Sequence, residues 1–128
     1  AKEVIGSNLV KAAMFGQDAN CGRILCAMGY SGAEFNPEKT SVFFKSIAGK
    51  SRYFDDADAV FGCDKCGEKI EVIHNGVGLA FDEEKAEKIL KEEAVQILIL
   101  LEDGDAEATA WGCDLTYDYV KINGDYRT

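Results

Sequence analysis

The chain has 128 residues, of which 47% are apolar and 10% aromatic, enough to bury one compact core and too few for two ordinary domains. Its formal charge of -9, with 14 basic residues scattered among 23 acidic ones, argues against nucleic acid as a partner, since phosphate backbones would be repelled. The longest apolar run, residues 97–101, is too short for a membrane span, and five unevenly spaced cysteines favour reduced thiols, so we expect a soluble, cytoplasmic protein.

The first third of the chain predicts the end of one helix, then a strand, then a second helix. Residues 1–5, closed by Gly6, are typical of a helix end without an initiator Met or a leader, so a processed or trimmed product is expected. Residues 8–15 are apolar enough for a buried strand. A helix is expected next, over residues 21–28, with Asp18 or Asn20 as its cap.

The middle of the chain predicts three strands around an irregular excursion. Residues 40–48 alternate as a strand with two partly covered faces. Residues 49–68 show no sustained period, which indicates an inserted excursion. A strand over residues 69–74 then meets the tight-turn pair Asn75-Gly76, which would reverse the chain into residues 77–80.

The last third predicts two helices and a hairpin. Asp82 caps a helix, and residues 95–101 form a strand interior. Residues 106–113 are expected to return as its antiparallel partner, followed by a final helix from Asp114 or Thr116 to Tyr126. This order predicts an α+β fold, a two-layer sandwich of mixed or antiparallel strands with about three helices.

Three stretches resemble one known family. Residues 108–128, ATAWGCDLTYDYVKINGDYRT, look like the C-terminus of the ornithine acetyltransferases, also called glutamate N-acetyltransferases. Residues 15–25 (FGQDANCGRIL) with 29–32 (GYSG), and 81–84 (FDEE), resemble the family in the right order. The chain is therefore identified as a C-terminal fragment, residues 1–128, of the family's β chain.

The resemblance implies an enzyme of arginine biosynthesis that cleaves itself into an α and a β chain. An N-terminal threonine of the β chain would carry acetyl from N-acetylornithine to glutamate, with its own α-amine as base. The only Ala-Thr step here is Ala108-Thr109, which sits in a strand pattern and is interpreted as structural. The nucleophile is thus expected outside this chain, no cofactor is expected, and the fragment alone should be inactive. The expected partners are the remainder of the β chain and the α chain, in a heterotetramer, together with small amino-acid substrates.

Two substrate contacts of the family map onto this chain, at Asn123 and Thr128. An Asn amide offers donors and an acceptor, and a Thr hydroxyl can do either, which suits an amino-acid carboxylate and amine. From the residues alone, Asn123 is equally typical of a helix C-terminus and Thr128 of a frayed chain end. The resemblance favours substrate binding at both, on one pocket wall.

The cysteines leave an alternative open. Cys63 and Cys66 have the spacing of one zinc knuckle, half of a tetrahedral site that His74 or another ligand would have to complete. The alternative function is therefore a small zinc-knuckle interaction module, although inert loop thiols remain the favoured interpretation and no metal site is assigned. Cys21 and Cys26 are expected to be small buried residues, and His74 a solvated strand end.

Overall fold

The structure, a computed structural model, describes residues 1–47 and 68–126. The chain divides into two compact units, Ala1–Glu34 with Gly104–Thr128, and Phe35–Asp103. The predicted excursion, apart from Glu68, lies outside the described residues. None of the helices that the structure describes is both long and apolar enough to cross a bilayer.

The first unit begins with three helices, α1 (Lys2–Gly6), α2 (Asn8–Phe15) and α3 (Cys21–Gly29). Helix α3 confirms the helix predicted over residues 21–28. Asn20, one of its two predicted caps, accepts a hydrogen bond through its side chain from Arg23 N at 3.0 Å. Its buried residues Ile24, Ala27 and Met28 recur at helical spacing and face the interior of the unit.

The strand predicted over residues 8–15 is wrong, because this segment is helix α2. An apolar run of eight residues fits either structure, and its flanks decide between them. Ser7 Oγ accepts a hydrogen bond from Val10 N at 3.4 Å, which caps a helix rather than starting a strand. Val10 and Ala13, three residues apart, are the buried residues of this helix.

The second unit is built on one antiparallel sheet. Its strands are β1 (Ser41–Ser46), β2 (Lys69–His74), β3 (Val77–Gly78) and β4 (Val95–Leu100), in the order β3-β2-β1-β4. In β1, Val42, Phe44 and Ser46 are buried and alternate with half-buried Phe43 and Lys45, as predicted. Full burial of Phe44 contributes roughly 2–3 kcal/mol to folding.

Helix α4 (Glu83–Leu90) forms the second layer of this unit, packing on β1 and β2. Asp82 Oδ1 accepts a hydrogen bond from Lys85 N at 3.1 Å, which confirms the predicted cap. Ala86, Ile89 and Leu90 are its buried side chains, at the spacing expected from the sequence. The α+β class is confirmed.

The turn between β2 and β3 confirms the tight turn predicted at Asn75-Gly76. Asn75 and Gly76 both have positive φ, 46° and 78°. Gly76 N donates to Thr40 O at 2.8 Å, and Asn75 N donates to Ser41 Oγ at 3.2 Å. The turn is therefore fastened to the residues at the start of β1. The strand after it is shorter than predicted, because β3 contains only Val77 and Gly78.

The strand predicted over residues 106–113 is wrong. The chain turns at residues 103–105, where Gly104 has a φ of 91°, and residues 106–116 then run without regular structure in the first unit. Leu115 N donates to Lys11 O at 3.2 Å, and a Cβ at Gly112 would lie 3.0 Å from Ile5 Cβ. The segment lies against α1 and α2, so its contacts replace those that a hairpin would have made.

The chain ends in helix α5 (Tyr117–Asp125), within the predicted range. Thr116, one of the two predicted starts, is its cap, and Thr116 Oγ1 accepts a hydrogen bond from Tyr119 N at 2.9 Å. The described residues thus contain five α-helices instead of about three.

We predict that Gly76→Ala lowers the free energy of unfolding by about 2 kcal/mol or more. An alanine there would adopt a left-handed φ, and its Cβ would lie 2.5 Å from Pro37 O. Gly78→Ala is the matched control, since nothing lies within 4 Å of its Cβ. Urea denaturation of the complete protein measures both, and equal midpoints for the two variants would contradict the role of the turn.

Candidate functional site

The candidate site is centred on α5 and the segment that leads into it. From Leu101 to Tyr126 none of the residues that the structure describes is buried. The start of the helix is anchored by Tyr117, whose ring meets that of Phe15 edge-on with centroids 5.4 Å apart. The other residues of α5 are exposed as well, so their side chains are available to a ligand or a partner.

Asn123, the first predicted substrate contact, lies in the last turn of α5 and is exposed. Its Nδ2 donates to Tyr119 O at 2.8 Å, one turn back in the helix. The helix-closing role that the residues alone suggested is therefore present. Among the described residues Asn123 has no other hydrogen-bond partner, which leaves Oδ1 as an acceptor and the second N–H as a donor.

Thr128, the second predicted contact, lies outside the described residues. Its placement beside Asn123 stays a prediction. The last described residue is Tyr126, whose backbone N donates to Ile122 O at 3.1 Å and so closes the helix.

A shallow groove on the first unit was not predicted. It has a volume of about 210 Å³, below the roughly 300–1,000 Å³ of common small-molecule sites. Arg23, Glu3 and Tyr30 are among the residues that line it, and Arg23 Nη1 donates to Leu9 O at 2.9 Å. Only the GYSG and FGQDANCGRIL motifs pointed to this region in the sequence. The groove is too small and too open to be a complete substrate site.

The cysteine predictions have mixed outcomes. Cys21 is only partly buried, and Cys26 is exposed, so the expected burial of Cys26 is wrong. The reason is helical phase, because Ala27 and Met28 take the inward positions of α3. Cys63 and Cys66 lie outside the described residues, among which no cluster of three or more potential metal ligands occurs.

The remaining candidates for catalysis are on the surface. His74 ends β2 as predicted, exposed, with its Nδ1 2.7 Å from Glu71 Oε1. Thr109 is exposed in the irregular segment before α5 rather than in a strand. Covalent catalysis needs a nucleophile and a base within hydrogen-bonding distance of each other. Among the described side chains, His74 is bonded to Glu71 and not to a nucleophile, and Thr109 is not bonded to a base.

Comparison with known proteins gives the chain a family. The model of the ArgJ family matches residues 1–128. An arginine biosynthesis bifunctional protein ArgJ of Clostridium acetobutylicum is 52% identical over all of this chain and 27% of its own length. A glutamate N-acetyltransferase of Methanothermobacter thermautotrophicus is 42% identical over 132 residues, covering 100% of this chain and 28% of its own.

A solved structure gives the same result. The crystal structure of the arginine biosynthesis bifunctional protein ArgJ of Bacillus halodurans superposes with a TM-score of 0.75 at 40% identity. The match covers 98% of this chain and 49% of that one. The chain thus spans about a quarter of the length of the curated relatives it matches, and the family model covers all of it. The chain belongs to the ArgJ family, the family of acetyltransferases that its C-terminal motif resembles.

Proposed function

We propose that residues 1–128 are the C-terminal part of the β chain of an enzyme that transfers acetyl from N-acetylornithine to glutamate in arginine biosynthesis. The observation that carries this proposal is the match over the whole chain, at 42–52% identity, to relatives named ArgJ or glutamate N-acetyltransferase. In this proposal the fragment contributes substrate contacts, and the nucleophile lies elsewhere in the protein.

The chemistry requires a nucleophile that this chain does not supply. In the proposed reaction an N-terminal threonine hydroxyl attacks the acetyl carbonyl, its proton passes through the α-amine to the leaving nitrogen, and ornithine departs. The resulting threonine ester is then attacked by the amine of glutamate, which forms N-acetylglutamate and restores the hydroxyl. Thr109, the one threonine after an alanine here, is internal, and cutting there would separate α5 from α2.

The lengths of the relatives support a protein made of two chains. The solved chain from Bacillus halodurans is about twice as long as this one, whereas the curated relatives are nearly four times as long. A precursor cut near its middle gives chains of that size. We therefore propose the remainder of the β chain and the α chain as partners, in a cytoplasmic heterotetramer. Neither acyl-transfer step requires a cofactor.

Asn123 is proposed to bind the amino-acid part of the substrate. One N–H of its amide is held by Tyr119 O, which fixes the direction of the side chain. Oδ1 is left to accept from an ammonium group, and the second N–H to donate to a carboxylate. Thr128 is proposed as a second contact, through its hydroxyl.

The activity is tested on the complete protein that carries this sequence. We expect acetyl transfer from N-acetylornithine to glutamate, and no turnover from a sample of residues 1–128 alone, because the nucleophile is absent. Mixing that sample with the missing chains is expected to restore activity. A folded complete protein without acetyl transfer would contradict the assignment. Adding acetyl-coenzyme A in place of N-acetylornithine tests whether this protein also makes N-acetylglutamate with acetyl-coenzyme A as the acetyl donor.

The role of Asn123 is tested by Asn123→Ala in the complete protein. Losing a hydrogen bond to a charged substrate group is expected to raise KM about 10- to 100-fold. Asp125→Ala, an exposed residue of the same last turn, is the control and is expected to change KM less than about threefold. Melting temperatures of both variants separate a damaged helix from a lost contact. Equal KM values for the two variants would rule out substrate binding by Asn123.

A further inference from the structure

Helix α5 carries its charges on one side only. Asp118, Lys121 and Asp125 follow one another at three- and four-residue steps, so they form a single stripe along the helix. All three are exposed. The stripe is the side of α5 that is suited to water.

The rest of the helix surface is apolar and exposed. Its large side chains are 57–83% accessible: Tyr117, Tyr119, Val120 and Ile122. We call these four side chains, with Asn123, the apolar arc. Asn123 is two residues from Lys121 and two from Asp125, which places it about 200° around the axis from the charged stripe, in the middle of the arc.

The apolar arc requires a cover that its own unit does not provide. A helix of nine residues is marginal in water without tertiary packing, and no residue of α5 is buried. The edge-on contact of Tyr117 with Phe15 and the Thr116 cap anchor only its first turn. Exposed apolar area of this kind marks an interaction surface.

We propose that the apolar arc is the surface on which the rest of the same protein docks, which places Asn123 at the boundary between the two parts. The occupant is the set of residues that the longer relatives have beyond those matched here, about three quarters of their length. The solved relative supports this choice, because residues matching 98% of this chain form only 49% of that chain. The identity of the occupant rests on the proposed function, in which this chain is one part of a longer polypeptide.

The partner surface has a defined chemistry. It must offer apolar side chains to Val120 and Ile122, and hydrogen-bond acceptors or water at its rim for the hydroxyl groups of Tyr117 and Tyr119. It must leave a polar gap opposite Asn123, since a free amide oxygen and N–H cannot be buried against apolar groups without cost. A substrate site between the two parts fills that gap.

The docking is tested by photo-crosslinking in the complete protein. A benzophenone-bearing phenylalanine replaces Tyr119 in one sample and Ile122 in a second, so that one misfolded variant does not decide the result. The same residue in place of Asp118, on the charged stripe, is the matched control. Mass spectrometry then identifies the cross-linked peptides.

We expect the two arc positions to cross-link to peptides outside these 128 residues, with at least fivefold the yield of the control. Cross-links confined to residues 1–128, from the same or a second copy, overturn the proposal, and so does a yield equal to that of the control. Acetyl transfer by the unsubstituted protein separates the two proposals. Cross-links in the variants without transfer by the unsubstituted protein overturn the proposed function alone, whereas transfer by the unsubstituted protein without cross-links in the variants overturns the docking alone.

Discussion

The exposure of α5 is the constraint on which the functional interpretation depends. Apolar surface in water costs about 25 cal/mol per Å² relative to burial, and four large side chains of this short helix remain in water. The first unit anchors only the start of the helix, through Phe15 and the Thr116 cap. A helix of this composition therefore acquires its full stability only when another surface covers it.

Buried residues are unevenly distributed along the chain. The sheet with α4, and the three N-terminal helices, have their own buried residues, such as Phe44, Ile89 and Ile24. The segment from Leu101 to Tyr126 has none among its described residues. Segments with few buried contacts open most easily, and elements that bind ligands or partners are drawn from them. The position of Asn123 is therefore not fixed by buried contacts of its own segment.

Local sequence signals predicted the elements that local contacts determine. The Asp82 and Asn20 caps each depend on one side chain bonding to nearby backbone, and the Asn75-Gly76 turn depends on two residues that tolerate positive φ. All three are confirmed. The errors at residues 8–15 and 106–113 have another cause. The apolar run at residues 8–15 fits the spacing of a helix as well as that of a strand. The alternating pattern at residues 106–113 belongs to a segment that lies against α1 and α2, where no hairpin forms. The substrate role proposed for Asn123 came from the family resemblance, because its bond to Tyr119 O is equally suited to an ordinary helix end.

The polarity of Asn123 links the proposed docking to the proposed substrate binding. In the middle of an otherwise apolar arc, a leucine would bury more favourably than an amide, whose unpaired oxygen and N–H each cost about 1–3 kcal/mol when removed from water. Tyr119 O accepts a hydrogen bond from only one of the two N–H groups of the Asn123 amide. An amino-acid substrate carries both an ammonium and a carboxylate, so it can satisfy the remaining acceptor and donor at once. Binding of substrate and closure of the interface would then stabilise each other, because each supplies what the other leaves unsatisfied.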